Sequence, residues 1–451
     1  MKERIKKALE DKDLAELIKG SGISFLLRFG GLAIGYVLTL IIANLFGAHG
    51  LGDYVLAITV LGFFTLLAKI GLDTTSLRFI SSFASQNKWT SIFYFRRQII
   101  LILFCTSLIA SVLMYLLAHP IADLINANHR YIQLNAFFVL PMAFFMLNYQ
   151  SLRGLKRIAE FSFYYRMSKA FFSIIAIVVI YQFNKGSEVP VYSYLVSLLI
   201  VSILSFLSFQ YWLKEKSYLK HSKEKEVMTY YMLLKISIPL MLAQSVQYIM
   251  AWTDKLILGS MATPEDVGVY FTAFKLSMFA AIALMSINSI ASPKFSELFA
   301  KDDIQGLEKV VHQSSKMIFW TTVPIIGFCF IFPEFLLGLF GEEFKIGVTA
   351  FIFLSCGRLV SSLSGSVGNI LQMTGNQNIY GTILLLGAII NVLLNLMLIP
   401  ETNPLSRFGI SGINGAAFAS MCSLSLWNIS MVLVVRRKFG FYTFYLPFLK
   451  R

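Results

Sequence analysis

Residues 23–77 decide the fold: ISFLLRFGGLAIGYVLTLIIANLF (Ile23–Phe46), then GAHGLGD (Gly47–Asp53), then YVLAITVLGFFTLLAKIGLDTTSL (Tyr54–Leu77). Each apolar run is long enough to cross a bilayer as a helix of about 20 residues. Each also carries charge that lipid disfavours: Arg28 in the first, Lys69 and Asp73 in the second. Ser24, Arg28, Gly31, Gly35 and Thr39 recur at steps of three or four, as do Gly62, Thr65, Lys69, Asp73 and Ser76. Such spacings place each set on one helical face. A polar, small-residue face on a membrane helix must look into protein or a watery cavity, because charge facing lipid costs about 2.5–3.5 kcal/mol. The stretch also has an echo. Moving from Gly52 to Gly268 carries Leu51-Gly52-Asp53-Tyr54 onto Val267-Gly268-Val269-Tyr270, and the same shift carries Arg78-Phe79 onto Lys294-Phe295 without a gap. Two copies of one membrane unit are a common build for transporters.

The rest of the composition agrees. Of 451 residues, 57% are hydrophobic and 14% charged, too little charge for the surface of a soluble chain of this length. The net charge of +15 raises nucleic acid as a partner, but its placement excludes it. Most Lys and Arg fall in loops on the side of the N-terminus and few in the opposite loops, which is the positive-inside pattern and puts both termini in the cytoplasm. No folded basic domain is left over for nucleic acid. The four cysteines fall inside expected spans, where disulfides and a zinc site are not expected. The five histidines fall in loops, which excludes a histidine proton relay within the membrane.

In chain order, residues 1–22 read as a cytoplasmic amphipathic segment, 23–213 as a first bundle of six helices, 214–229 as a basic cytoplasmic linker, 230–435 as a second bundle of six, and 436–451 as a cytoplasmic tail. The expected class is an all-α polytopic membrane protein with about 12 transmembrane helices. Pro324 and Pro333, both inside the expected ninth span, read as kinks.

No P-loop, HExxH, CxxC or nucleophile elbow is present, so the chain reads as no enzyme, and any transport is passive or driven by an ion gradient. What remains is charge within the membrane. On the expected tenth span, residues 348–372, Arg358, Ser362, Gly365, Asn369 and Gln372 follow one face. Arg358 lies about ten residues in, roughly 15 Å deep at 1.5 Å per residue. Lys275 lies about eight residues into the eighth span, and Lys69 and Arg28 nearer the cytoplasmic third. Lys255, Lys235 and Lys169 stand close enough to span ends to snorkel and are set aside. Asp73 and Asp254 are the acidic candidates, with a proton or Na⁺ as the coupling ion and no other cofactor. The interior is cationic on balance and suited to an anion, above all a phosphate. Arg28, Lys69, Lys275, Arg358, Asn369 and Gln372 are therefore the candidate substrate-binding residues. Asn391 and Asn395 read as a helix–helix hydrogen-bonding pair.

Asn391-Val392-Leu393-Leu394-Asn395 through Pro400, followed by Gly412-Ile413-Asn414-Gly415-Ala416-Ala417-Phe418-Ala419-Ser420, resembles a hallmark of the polysaccharide biosynthesis, or O-antigen flippase, family. So do Gly50-Leu51-Gly52-Asp53-Tyr54 and Arg153-Gly154-Leu155-Lys156-Arg157. That family belongs to the multidrug/oligosaccharidyl-lipid/polysaccharide exporter superfamily. The resemblance implies two pseudo-symmetric six-helix bundles around a central cavity, working by alternating access. It implies as substrate a glycan on undecaprenyl pyrophosphate, moved between leaflets of a bacterial inner membrane. Membrane lipids, a polysaccharide polymerase and glycosyltransferases are the implied partners. Gly31, Gly35 and Gly365 would let helices approach closely. The rival on the same fold is a cation-coupled multidrug exporter, whose cavity would be acidic and aromatic.

Overall fold

The computed structural model describes residues 12–217 and 228–445, without the side chains of residues 12–26, 28, 216, 217, 243, 246, 247 and 250. The first eleven residues of the expected amphipathic segment, the centre of the linker and the last six residues of the tail therefore lie outside the described residues. Every regular element among the described residues is helical. In order these are α1 (Lys12–Lys69), α2 (Leu72–Ser85), α3 (Trp89–Leu116), α4 (Ala118–Leu124), α5 (His129–Ala136), α6 (Val139–Gly154) and α7 (Ile158–Ser162), which runs into a π-helical turn (Phe163–Ser168). Then come α8 (Lys169–Tyr181), α9 (Val189–Ser217), α10 (Tyr230–Met261), α11 (Pro264–Ala300), α12 (Ile304–Ile331), α13 (Pro333–Gly338), α14 (Val348–Leu363), α15 (Val367–Met373), α16 (Gln377–Leu398) and α17 (Gly412–Phe439).

Among the described residues, nine helices are long and apolar enough to cross a membrane, or ten if α5 and α6, bent by 54°, form one span. The chain is thus a multi-pass membrane protein, but this count falls short of the expected twelve. Two features account for the shortfall. First, α1 is counted as a single stretch, although it changes direction at Gly47 (φ 70°, ψ −175°). That backbone conformation is essentially open to glycine alone. The expected turn at Gly47–Asp53 is therefore one residue long, and Ala48 already begins the second arm. Second, α10 (Tyr230–Met261) enters the count only as the apolar stretch Tyr230–Leu242, which ends where the described side chains are interrupted.

Two further breaks differ from expectation. Pro324 lies inside α12, but Pro333 starts α13 as its first residue, a position where the missing N–H costs nothing. The expected tenth span divides at Gly365 (φ 74°) into α14 and α15. Gly365 is both the point where the helix breaks and a point of close approach, the latter as expected of it. A Cβ there would collide with Ser315 Oγ. The tail stitches this break, since Thr443, fully buried, donates to the Ser364 carbonyl at 2.7 Å and accepts from Ser315 through its own carbonyl.

The chain forms two compact units: Met1–Phe46, Ala57–Asp123 and Ala127–Ser245 make unit 1, and Gly47–Leu56, Leu124–Asn126 and Val246–Arg451 make unit 2. In unit 1, α2 packs on α6, where a Cβ on Gly154 would stand 3.1 Å from Ile80, and Gly31 lies against the backbone of Arg166. In unit 2, α14 packs on α17, with Gly357 against Met421, and Gly387 of α16 makes room for Trp427.

The repeat is visible inside unit 2, which includes the start of the second arm of α1. A Cβ on Gly52 would collide with the carbonyl of Pro264, and a Cβ on Gly268 with that of Ala48. His49 Nδ1 meets Glu265 Oε1 at 2.6 Å, 216 residues apart. Every one of these pairings maps onto its partner under the shift that carries Gly52 to Gly268. Such reciprocity is what two copies related by a two-fold axis produce.

Candidate functional site

Three cations of unit 2 converge on two aromatic rings. Phe271 and Phe274 stand three residues apart on α11, hence on one face. Lys255 of α10 lies 5.5 Å from the centroid of Phe271 and 5.9 Å from that of Phe274. Lys275 lies 5.5 Å from Phe271, and the Arg358 guanidinium of α14 lies 5.3 Å from Phe274. Cation–π contacts stabilise by about 0.5–1 kcal/mol when exposed and about 2 kcal/mol when desolvated. Beside them lies a cavity of about 190 Å³, lined by Asp254, Phe274, Arg358, Asn391, Ser423 and Trp427 among others. At about 30 Å³ per water it has room for on the order of six waters.

Asp254 is the carboxylate of this cavity and is 5% exposed. Its Oδ2 accepts from Tyr270 Oη at 2.7 Å and from Ser420 Oγ at 2.5 Å, and its Oδ1 accepts from Asn395 Nδ2 at 2.7 Å. The three donors sit on three helices, α11, α17 and α16. Asn391 Nδ2 donates to Ser423 Oγ at 3.2 Å. The side-chain carbonyl oxygens of Asn391 and Asn395, both buried, have no hydrogen-bond partner. Amide oxygens of this kind can accept from a protonated group or coordinate a hard cation.

The charges of unit 1 are arranged differently. Lys69 Nζ lies 2.7 Å from Asp73 Oδ2, with side chains 2% and 4% exposed. The same ammonium donates to Gln244 Oε1 at 2.8 Å, and the Gln244 amide donates to Thr74. Arg96, also buried, lies over the ring of Phe209 at 3.9 Å and donates to Ser151 at 3.2 Å and to Asn148.

The expected site residues therefore separate. Lys275 and Arg358 meet at the rings. Lys69 and Asp73 pair with each other inside unit 1. The side chain of Arg28 lies outside the described residues. Asn369 and Gln372 do not continue the Arg358 face, because the helix breaks at Gly365. Asn369 donates to Ser292 Oγ at 2.8 Å, and Gln372 to the Gly368 carbonyl at 3.1 Å. Lys255, set aside on the sequence as a snorkelling residue, belongs with Lys275 and Arg358. Asn391 and Asn395 do bond between helices as expected, to Ser423 and Asp254, two residues that line the cavity. Tyr270, Ser420 and Trp427 were missed. A signal existed for two of them, since Tyr270 ends the repeated Val267–Tyr270 and Ser420 ends the Gly412–Ser420 motif.

A multi-pass helical protein with an internal repeat and a cavity that holds a carboxylate and a guanidinium, Asp254 and Arg358, has the build of a membrane transporter. Residues 41–348 match the family described as polysaccharide biosynthesis protein, and the chain belongs to that family. A relative from Haloferax volcanii, named as a probable low-salt glycan biosynthesis flippase, is 25% identical over 40% of this chain and 36% of its own. The chain thus matches about a third of that relative's length. Among solved structures, the lipid II flippase MurJ in an inward closed conformation superposes with a TM-score of 0.69 at 16% identity, covering 93% of this chain and 87% of its own. An inward-facing multidrug transporter of the MATE family and MOP superfamily gives 0.68 at 14%, covering 91% and 98%. At these identities the two structures establish the fold, and they do so equally.

Proposed function

We propose that the chain is a flippase that carries a lipid-linked oligosaccharide, a glycan on undecaprenyl pyrophosphate, from the cytoplasmic to the outer leaflet of the plasma membrane by alternating access. Membership of the polysaccharide biosynthesis family supports this reading. The observation that carries it is the convergence of Lys255, Lys275 and Arg358 on Phe271 and Phe274 beside a cavity that Arg358 itself lines. A pyrophosphate needs several cationic donors at once, and a planar guanidinium can bond two of its oxygens. Trp427 and the amide and hydroxyl groups of Asn391 and Ser423 in the same wall suit a sugar, which offers one apolar face and a rim of hydroxyls. A multidrug exporter for organic cations would require the opposite sign of charge at the rings.

Coupling to a proton or Na⁺ is assigned to Asp254 rather than to Asp73, whose Oδ2 is held by Lys69. Both termini are placed in the cytoplasm. A reporter after Lys225 should be cytoplasmic and one at Asn184 external, and the reverse pair of results would overturn this orientation. Glycosyltransferases would supply the substrate and a polymerase would consume it.

The binding test uses purified full-length protein titrated with a polyprenyl pyrophosphate. A charge-assisted hydrogen bond is worth about 1.5–3 kcal/mol, so Arg358→Ala should weaken binding by roughly ten-fold or more. Arg358→Lys should retain part of the affinity, keeping the charge but losing the fork. Parental affinity in Arg358→Ala would remove the proposal.

A further inference from the structure

The Arg153-Gly154-Leu155-Lys156-Arg157 motif is not used by the cavity. It joins α6 to α7 in unit 1, with Lys156 turned to a positive φ of 60°. The Arg153 guanidinium lies 5.1 Å from the centroid of Phe161, and that of Arg157 lies directly over the indole ring of Trp212 on α9. The rings are themselves held. Phe161 stacks on Tyr165 at 5.5 Å and 8°, and Tyr149 packs on both at 6.0 and 5.5 Å. Tyr165 and Tyr211 are exposed at the rim of the patch. Immediately after this segment the chain passes through six residues of π-helix, Phe163–Ser168, a form found mostly as single turns at functional sites.

Stacking uses the face of a guanidinium and leaves its N–H edge. Neither Arg153 nor Arg157 spends that edge on a described residue. No hydrogen bond or ion pair joins either side chain to a described residue, although Glu160 is near in sequence. Two planar donors are thus oriented by rings and directed outward, amid aromatic side chains of the kind that gathers where a membrane meets water. The chemistry that fits such a pair is a phosphate oxygen cluster, which an arginine edge bonds in bidentate fashion.

We propose that Arg153 and Arg157 form a docking site for the phosphate of an anionic membrane phospholipid. The occupant is a bulk lipid rather than the transported one, because Arg153 is exposed, Arg157 is half-buried and the two donors stand on separate rings. A surface of that kind fits a small, abundant headgroup held at the edge of the bilayer. It does not enclose a pyrophosphate bearing a glycan. A bound headgroup would tie the end of α6 and the π-helical turn to the membrane surface.

The test measures phospholipid retention on the purified full-length protein by native mass spectrometry, with phosphatidylglycerol against phosphatidylcholine. Interfacial cations contribute enough that Arg153→Gln with Arg157→Gln should weaken phosphatidylglycerol binding by about 30-fold. Phosphatidylcholine binding should change much less. A charge-matched control, Arg97→Gln with Lys309→Gln, removes two exposed cations that stack on no ring and should shift binding by no more than about two-fold. Replacing both arginines by lysine should recover only part of the loss. Thermal melting of each variant separates lost binding from lost fold. Equal losses in the two glutamine pairs would show a diffuse charge effect and overturn the site. A loss confined to polyprenyl pyrophosphate, with phosphatidylglycerol retained, would also overturn it and reassign the arginines to the transported lipid.

Discussion

The two units differ in how they hold lysine: Lys69 is paired with a carboxylate in unit 1, where the buried Arg96 stacks on a ring, and Lys255 and Lys275 are gathered on rings in unit 2. In unit 1, Lys69 and Asp73 are four residues apart on consecutive turns of chain and neutralise each other at 2.7 Å. The pair is local, and Gln244 completes it. In unit 2, Lys255, Lys275 and Arg358 come from three helices and gather at the rings of Phe271 and Phe274. Like charges brought together across a hundred residues of sequence oppose folding. On the proposed function, the first arrangement serves the fold and the second serves an anionic ligand.

That contrast breaks most visibly at Asp73. Asp73→Leu leaves the Lys69 ammonium buried without its carboxylate, and removing one partner of a buried pair costs about 3–5 kcal/mol. The purified variant should melt far below the parent or fail to accumulate. Lys69→Met with Asp73→Leu should restore most of the stability and keep flipping near the parental rate. A double variant that is stable but does not flip would make Lys69 a transport residue and erase the contrast.

Asp254→Asn has a smaller effect on stability, about 1–3 kcal/mol, because the amide oxygen can still accept from Asn395 while its NH2 donates to the hydroxyl oxygens of Tyr270 and Ser420. Its main effect should be on coupling. Flipping in proteoliposomes should lose its dependence on the proton or Na⁺ gradient, and a variant with the full dependence would remove Asp254 from that role. The smallest change is expected from Asn391→Ala. This removes one 3.2 Å bond to Ser423 and should cost about 1 kcal/mol, read as a few-fold change in glycan transport with melting nearly unaltered.

Much of the fold could be read from the sequence because the repeat leaves a physical trace. Gly52 and Gly268 must both be glycine where two helix starts cross, so the same small residue recurs at the same offset. Lys275 and Arg358 were legible because charge deep in an apolar run is rare. The rest was hidden for definite reasons. Gly365 reads as a small residue on a helical face, and only its positive φ shows that the face ends there. Lys255 is near a span end by count, and sequence distance does not register the ring of Phe271 beside it. The donors to Asp254 lie 16, 141 and 166 residues away, a separation that helical periodicity cannot bridge.

The central claim is that the cations of unit 2 hold the substrate's pyrophosphate. Its most direct test is the flipping rate of a lipid-linked glycan in proteoliposomes, followed by leaflet-specific labelling, for Arg358→Ala alongside the thermal melting of the same preparation. An arginine within the membrane costs about 2.5–3.5 kcal/mol on insertion, so the variant should insert and melt at least as well as the parent. It should flip at less than a tenth of the parental rate. A well-folded Arg358→Ala protein that flips at the parental rate would contradict the account.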